Sequence, residues 1–214
     1  FISINACFDR FEFPWLKYQV DAPSKGNDLN AQLSYLPSKK LSAVFRYRKR
    51  YQQKNTRNEI PLRYLSSVHS ENYRFSISYS GTKELTLRNR IELMRYKREA
   101  ETQTGYLIYQ DIFYKPGSSF SATLRYALFQ TDSYDSRLYE YENDIPGSYS
   151  IPSFYDRGSR SYILLNYSVT KYVEMWLRYA QTFYDNKEVI SEGSLSEIQG
   201  NTKSDIKVGV KVKW

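Results

Sequence analysis

Residue types that support catalytic, metal and disulfide chemistry are scarce in this sequence. It contains one cysteine, Cys7, and one histidine, His69. One cysteine cannot form a disulfide within the chain, and zinc sites are built from clusters of cysteine and histidine. The sequence also lacks a phosphate-binding loop, a dinucleotide-binding fingerprint and any metal-ligand spacing. We therefore expect no cofactor and no metal.

Long hydrophobic runs are absent as well. The mean hydropathy is −0.66, and no stretch approaches the roughly 20 apolar residues that a membrane-spanning helix needs. A signal peptide is not recognisable, and the pattern of a strand is already present at Phe1. These features predict a mature, processed or truncated N-terminus. The absence of apolar runs does not exclude membrane-spanning strands, because alternation hides their apolar face.

The last residues show this alternation most clearly. In Lys203–Trp214 (KSDIKVGVKVKW), apolar and mostly cationic residues take turns, and the chain ends on an aromatic residue. Successive side chains of a strand point to opposite faces, so this segment has one apolar face and one polar face. Outer-membrane strands have this pattern. A final strand that ends in an aromatic residue is typical of the signal that the barrel-assembly machinery recognises, here formed by Val208, Val210, Val212 and Trp214.

Similar alternation recurs along the whole chain, and 22 tyrosines and 11 phenylalanines suit the aromatic girdles of a barrel. We count about ten strands, with a bulge expected at Gln110–Asp111 where the parity changes. Short turns, near Pro37, Thr82, Gly117 and Thr170, alternate with longer loops. The longer loops are predicted at residues 9–27, 52–70, 98–104, 130–160 and 185–202.

Short turns at one end of the strands and long loops at the other predict the fold class: an all-β, transmembrane, antiparallel up-and-down β-barrel in a Gram-negative outer membrane. Residues 1–214 form one domain, either a narrow ten-stranded barrel or the C-terminal part of a wider one. Both ends of the segment would be periplasmic and the long loops extracellular. Outer-membrane lipid is then the main partner of the chain.

The inward parity is strongly basic, and the net charge of the chain is +8. In a narrow barrel these charges would form a salt-bridged filling, which is the interpretation we favour, whereas in a wide barrel they would line an anion-favouring, porin-like lumen. The predicted lumen-facing residues are Arg46, Arg48, Arg74, Arg88, Arg90, Glu92, Arg125, Glu174, Arg178, Lys207 and Lys211, with Asp111 as a further acidic partner.

Two constellations could carry chemistry. A Ser–His hydrolase would have to use His69, which lies among serines in or beside a predicted loop, and a solvated loop histidine is the simpler interpretation. Glu140, Glu142 and Asp144 could bind calcium or act as acid and base, but acidic residues at this spacing on a loop more often form a solvated edge. We therefore predict no catalytic residues and no enzyme.

The loop Tyr134–Arg160 combines many aromatic residues with arginines. It could stack bases or sugars and contact phosphates through Arg137, Arg157 and Arg160. We favour a self-packed extracellular loop that caps the barrel or docks a partner protein. The predicted partner or ligand residues of this loop are Tyr134, Arg137, Tyr139, Tyr141, Phe154, Tyr155 and Arg157.

Four segments carry a resemblance to a known family: FDRFEFPW (Phe8–Trp15), YDSRLYEYEND (Tyr134–Asp144), YDRGSR (Tyr155–Arg160) and EIQGN (Glu197–Asn201). They resemble the C-terminal barrel of the Bacteroidota helix-hairpin-helix domain-containing, competence-type outer-membrane proteins. The resemblance implies DNA-binding repeats and further strands upstream of Phe1. It provides no DNA-contacting residue in this chain, because the hairpin motif does not occur here.

The combined hypothesis is a channel or translocation component of the outer membrane, with a DNA-related role implied only by the resemblance. The alternative is a structural or scaffolding subunit of a multi-protein outer-membrane complex, which would contact other outer-membrane proteins through loops 9–27 and 130–160. Nucleic acid is a partner only by resemblance.

Overall fold

Ten long strands form one antiparallel sheet in the computed structural model, which describes residues 1–57 and 64–214. The elements in chain order are β1 Ile2–Phe13, β2 Ser24–Ser38, β3 Leu41–Asn55, β4 Leu65–Ser80, β5 Leu85–Arg98, β6 Glu101–Tyr114, β7 Phe120–Thr131, a 3₁₀ helix Tyr134–Ser136, β8 Leu138–Tyr139, β9 Ser153–Phe154, β10 Arg157–Ser168, β11 Val173–Tyr184, β12 Val189–Ile190, β13 Ile198–Gln199 and β14 Thr202–Val212.

Neighbours in the sequence are neighbours in this sheet. The strand order is β1-β2-β3-β4-β5-β6-β7-β10-β11-β14, and each pair is antiparallel. The predicted all-β, up-and-down architecture of about ten strands is therefore confirmed. Among the described residues β1 and β14 are the two edges of the sheet, and they do not pair with each other. No helix in this part of the chain is both long and apolar enough to cross a membrane.

The sheet has an apolar face and a polar face because the alternation stays in register from strand to strand. Phe45 lies opposite both Leu33 and Phe75, and Phe75 lies opposite Ile91. These side chains remain accessible, with Ile91 45% and Phe75 44% exposed. Tyrosines lie at both limits of the apolar face. Tyr35, Tyr79, Tyr114 and Tyr167 lie at the short-turn ends of their strands. At the other limit, Tyr106 lies near the opposite end of β6, and Tyr47 and Tyr73 lie near the middle of β3 and β4, where the apolar rows of these two strands end.

The hydrophobic core lies on the polar face, where two loops fold over it. Residues 132–156, with the 3₁₀ helix and the β8–β9 pair, and residues 185–201, with the β12–β13 pair, contribute to one buried cluster. Its buried members are Leu107, Tyr109, Ala127, Phe129, Leu138, Phe154, Tyr184 and Ile190. The loop between β7 and β10 therefore folds back onto its own sheet and covers the polar face from the long-loop ends of the strands to the middle of that face.

Several predicted boundaries were wrong. The expected bulge at Gln110–Asp111 does not form, because β6 stays in register with β5 and β7 through both residues, and the irregularity lies between Tyr35 and Ser38 instead. The predicted long loop at residues 98–104 is the tight turn Glu99–Ala100, with Glu99 at φ 55°.

The other long connections are shorter than predicted, since the strands extend into them. They occupy residues 14–23, 56–64, 132–156 and 185–201. Part of the second of these, residues 58–63 with Asn58 and Pro61, lies outside the described residues.

Candidate functional site: a loop ion-paired to the polar face

The loop that follows β7 turns back over the sheet at a short 3₁₀ helix. Ser133 caps the helix: its hydroxyl accepts a hydrogen bond from the backbone of Asp135, and its own backbone N–H donates to Ser136. The helix lies so close to β6 that a Cβ on Gly105 would stand 2.3 Å from the carbonyl oxygen of Ser136. Only glycine allows this approach, so Gly105 fixes where the loop begins to cover the polar face.

Alternate residues of the loop then carry carboxylates. Glu140, Glu142 and Asp144 are two residues apart in extended backbone, which directs all of them to the same side. That side faces the sheet, and Glu142 is completely buried. The prediction that these acids form a solvated edge was therefore wrong. The acids of the loop repeat every two residues, as do the basic residues of the strands, so the two rows of side chains can pair with each other.

Glu142 occupies the centre of this arrangement. Arg160 donates two hydrogen bonds to its carboxylate, of 2.7 and 2.8 Å, and Arg178 donates a third of 2.5 Å. The Arg178 side chain is also fully buried, and its Nε reaches the carbonyl oxygen of Asn143 at 3.2 Å. Charges taken out of water are tolerated only with such dense pairing. This contact therefore holds the middle of the loop against β10 and β11.

The flanking acids continue the pattern. Glu140 is 2.5 Å from Arg90 and 3.3 Å from Arg74, and Asp144 is 2.6 Å from the ammonium group of Lys207. Burial alone would raise the pKa of Asp144. The hydrogen bond from Lys207 and the nearby cations outweigh this effect and lower that pKa below its ordinary value. Asp144 is therefore a carboxylate at neutral pH.

A second set of buried polar contacts lies under the loop. Asp111 accepts hydrogen bonds of 2.6 and 2.8 Å from Arg125, which also donates to the carbonyl oxygen of Tyr141 at 2.8 Å. The guanidinium carbon of Arg125 lies 3.9 Å from the ring centroid of Tyr109, a cation–π distance. Arg125 thus binds the sheet and the loop backbone together.

The polar face is not covered over β2 to β4. A cavity of about 370 Å³ opens there beside the loop, lined by Arg46, Arg48, Arg50, Lys54 and Arg137 among others. Asp28 pairs with Arg48 at 2.5 Å and lies 3.9 Å from Arg50. Within residues 1–57 and 64–214, Arg46 and Lys54 form no ion pair, and the Nε of Arg46 is buried without a hydrogen-bond partner. The cavity therefore has an excess of positive charge.

All residues predicted to face a lumen lie on this polar face, as the register through Arg46, Arg74 and Glu92 illustrates. They fall into two groups. Arg74, Arg90, Arg125, Arg178 and Lys207 contact the loop, whereas Arg46, Arg48 and Arg88 lie outside its contacts. Glu174 lies near the short-turn end, 2.9 Å from Lys213 and opposite Lys211. That the face lines a lumen stays a prediction.

The predicted partner or ligand residues of the loop are not equivalent. Phe154 is 1% exposed and packs on Phe129, with ring centroids 5.4 Å apart, so it is a core residue and is not accessible to a partner. The Tyr134 and Tyr155 rings stack edge to face at 5.2 Å, and Arg157 pairs with Asp185 at 3.1 Å.

The remaining members lie closer to solvent. Arg137 donates to the hydroxyl of Tyr139 at 2.6 Å, and the side chain of Tyr141 is 49% exposed.

In β14, the apolar row Val208, Val210, Val212 and the following Trp214 are all more than half exposed on the apolar side.

The candidate chemical residues are separated from one another. His69 lies within β4 and not in a loop; it is on the apolar-side parity with its ring centroid 5.0 Å from that of Tyr51. No hydrogen bond joins it to a serine in the described residues. The carboxylates considered for calcium are occupied by guanidinium and ammonium groups.

Sequence reasoning missed the partners that organise the site. The sequence predicts Arg160 to contact a ligand's phosphate, but it contacts Glu142, and the buried role of Tyr109 has no signal in the strand pattern. The available signal was the shared spacing of two between the acids of the loop and the arginines of the strands.

No protein-family model matches the sequence, and no curated protein matches it. Among solved structures, the fold is similar to the NanC porin in a rhombohedral crystal form, with 13% sequence identity over 88% of this chain and 94% of that chain and a TM-score of 0.38. A similarity at this level does not identify a function. The resemblance to helix-hairpin-helix domain-containing proteins stays a prediction.

Proposed function

We propose that this chain is a channel-forming part of an outer-membrane β-barrel whose inner face is cationic and is constricted by the loop of residues 132–156. One observation carries the proposal: the buried side of the sheet is charged and the exposed side is apolar. Arg178 and Glu142 are completely buried, whereas Leu128 is 47% and Val208 63% exposed. A soluble protein has the reverse distribution, and exposed apolar patches of this extent mark contact with lipid or protein.

The backbone supports the same proposal. In hydrocarbon every backbone N–H and C=O needs a partner, so membrane-spanning strands belong to closed barrels. The long strands form continuous ladders with their neighbours, and tyrosines flank the apolar face as in the aromatic girdles of such barrels. A barrel completed by pairing at the edges of β1 and β14 satisfies this requirement.

The distribution of charge on the polar face supports selection of anions. The loop acids neutralise the basic residues of β10, β11 and β14, while Arg46 and Lys54 keep uncompensated charge beside the cavity. Charged rings of this kind favour counter-ions in a pore. Small anions would pass over β2 to β4, on the side that the loop leaves open. A DNA-related role rests on the resemblance alone.

The test is single-channel recording of the complete protein in planar bilayers under a salt gradient. We expect small conductance with a reversal potential that favours anions. The variant Arg46→Gln with Arg88→Gln should reduce this preference, whereas Lys39→Gln with Lys40→Gln, in an exposed turn, should not. A barrel that passes no current at any voltage would exclude the channel.

The second candidate function, a scaffolding subunit, is favoured by the loop between β1 and β2. Trp15 is 80%, Leu16 69% and Tyr18 90% exposed there, which is unusual for a loop without a partner. The loop of residues 132–156, in contrast, is committed to its own sheet. Purification from membranes in mild detergent distinguishes the two functions: a stoichiometric partner that is lost in Trp15→Ser with Leu16→Ser supports the scaffold, and a lone barrel supports the channel.

A further inference from the structure

A group of basic side chains lies on the same face of the sheet as the apolar residues Phe45, Phe75 and Ile91, which form the apolar band. The basic side chains lie beyond the end of that band along the strands. Lys49 of β3 lies opposite Glu71 of β4, which lies opposite Arg95 of β5. His69 and Lys97 form the next pair toward the ends of the same strands. Together these side chains line an open cavity of about 310 Å³. They lie on the face away from the loop of residues 132–156, so they are not part of the site described above.

The position of this basic cluster along the strands is well defined. Tyr47 and Tyr73, which precede it on the side of the apolar band, have ring centroids 5.0 Å apart. Tyrosines in such rows lie at the boundary between hydrocarbon and headgroups. The cluster is one pair of residues further from the band than Tyr47 and Tyr73. In a membrane it would therefore lie at headgroup depth, at the long-loop end of the strands.

The cluster is held together by its single acid. Glu71 accepts hydrogen bonds from the hydroxyls of Tyr47, at 3.4 Å, and Tyr73, at 3.5 Å, and lies 3.4 Å from the ammonium of Lys49. Arg95 and Lys97 are exposed and form no ion pair within the described part of the chain. The acid is thus shared among partners, and the net charge of the cluster remains positive.

The opposite ends of the same strands provide a comparison. There the same parity carries Leu41, Tyr79 and Leu87, with no basic residue among them. On the strands themselves, the clustered positive charge of this parity is therefore confined to the long-loop end, whereas at the short-turn end Lys39, Lys40 and Lys83 lie in the turns.

We infer that this cluster binds the phosphate of an anionic lipid headgroup in the leaflet at the long-loop end. Arginine matches phosphate in a bidentate way, and lysine adds a point charge. Each basic residue near an anionic membrane surface contributes about 1 kcal/mol. The exposed side chains of Ile91 and Leu93 lie next along β5, so acyl chains attached to the same headgroup would contact the apolar band. This continuity favours a lipid over a free phosphate ion. The inference rests on the proposed membrane location.

The test measures lipid binding by the full chain folded in a neutral detergent. Lipid A, a phosphorylated glucosamine lipid, is the probe, and bound lipid is counted by native mass spectrometry. We expect Arg95→Gln with Lys97→Gln to weaken binding about 25-fold, from about fivefold for each cation removed. The control Lys39→Gln with Lys40→Gln removes the same charge at the opposite end and should bind as the wild type does.

Two results would overturn the inference: equal binding of lipid A by the wild type and the Arg95/Lys97 variant, or binding of inorganic phosphate as tight as that of lipid A. Flotation of the same proteins with phosphatidylcholine vesicles tests the membrane location separately. A chain that floats but does not distinguish phosphorylated lipid contradicts only the headgroup site. A chain that does not float contradicts the proposed function as well.

Discussion

Arg178 of β11 donates a 2.5 Å hydrogen bond to Glu142, which is 36 positions earlier in the chain, and neither side chain is exposed. This contact connects the last third of the sheet to the middle of the loop that covers it. A buried charge that loses its partner is strongly destabilising, whereas an apolar pair of similar size can replace both charges at little cost. The contact therefore allows a clear test of how the loop is held.

The variant Glu142→Gln should lower the free energy of unfolding by about 3–5 kcal/mol, because it leaves the guanidinium groups of Arg160 and Arg178 without their carboxylate. Urea titration in detergent micelles measures this change. Glu192→Gln, in an exposed part of residues 185–201, is the matched control and should change the value by less than about 0.5 kcal/mol. A small loss for Glu142→Gln would mean that water reaches this pair.

Replacement of Gly105 should detach the loop without removing a charge. In Gly105→Ala the new methyl group would meet the carbonyl oxygen of Ser136 at 2.3 Å, so the 3₁₀ helix must move away from β6. Faster chymotrypsin cleavage at Tyr149 is the expected readout. Gly117→Ala, where no atom lies within 4 Å of the added Cβ, should be cleaved at the wild-type rate. Equal rates for both variants would show that the loop does not depend on this close approach.

The docking of the loop should weaken in acid. The pKa of Asp144 is raised by burial but lowered further by Lys207, to below the ordinary value of 3.8. A group with a lowered folded-state pKa stabilises the fold above its unfolded value, and this stability is lost as the pH falls through the folded-state pKa. The protection of residues 138–154 from hydrogen exchange, relative to the intrinsic rate at each pH, should therefore stay high down to about pH 4 and fall below it.

The variant Lys207→Met tests the cause of that pH dependence. Without the hydrogen bond from Lys207 the pKa of Asp144 rises relative to the wild type, so the loss of protection from hydrogen exchange should begin at a higher pH. An unchanged onset would show that another group controls the loop.

A charge placed on the apolar face should prevent stable insertion. Leu124 lies midway along β7 between Ile112 and Ile163, and Thr123 is its neighbour on the other face. Leu124→Lys should destabilise the protein folded in lipid vesicles, lowering its free energy of unfolding by about 2–4 kcal/mol. Thr123→Lys, which adds the same charge on the polar face, should have a smaller effect. Similar losses for both would mean that the apolar face does not contact lipid.

Much of the sheet follows from local sequence, because a period of two is visible within each strand. The opposite faces of Leu124 and Arg125 were predictable in this way, as were the ten strands and the short turns. The parity of β6 was not. Leu107 and Tyr109 are apolar on the polar face because the loop covers them, and that contact joins residues far apart in the sequence. The mixed pattern of β6 therefore predicts a bulge that the structure does not contain.

The candidate site was harder to predict for the same reason. Glu140, Glu142 and Asp144 were conspicuous in the sequence, but an acid on a loop is solvated unless the loop folds back onto basic residues. The local sequence does not specify whether the loop projects into solvent or turns inward. Ser133, the glycine at position 105 and the arginines of five different strands jointly determine the direction, and only the tertiary fold brings them together.

The central claim is that successive residues of these strands alternate between two environments, lipid on one face and a loop-covered polar interior on the other. The most direct measurement is spin labelling of single cysteines at positions 124 to 128 of β7, in a Cys7→Ser background and in lipid vesicles. We predict that labels at Leu124, Tyr126 and Leu128 collide freely with oxygen dissolved in the lipid, and that labels at Arg125 and Ala127 are shielded. Accessibility that does not alternate, or that is highest at Arg125 and Ala127, would contradict the account.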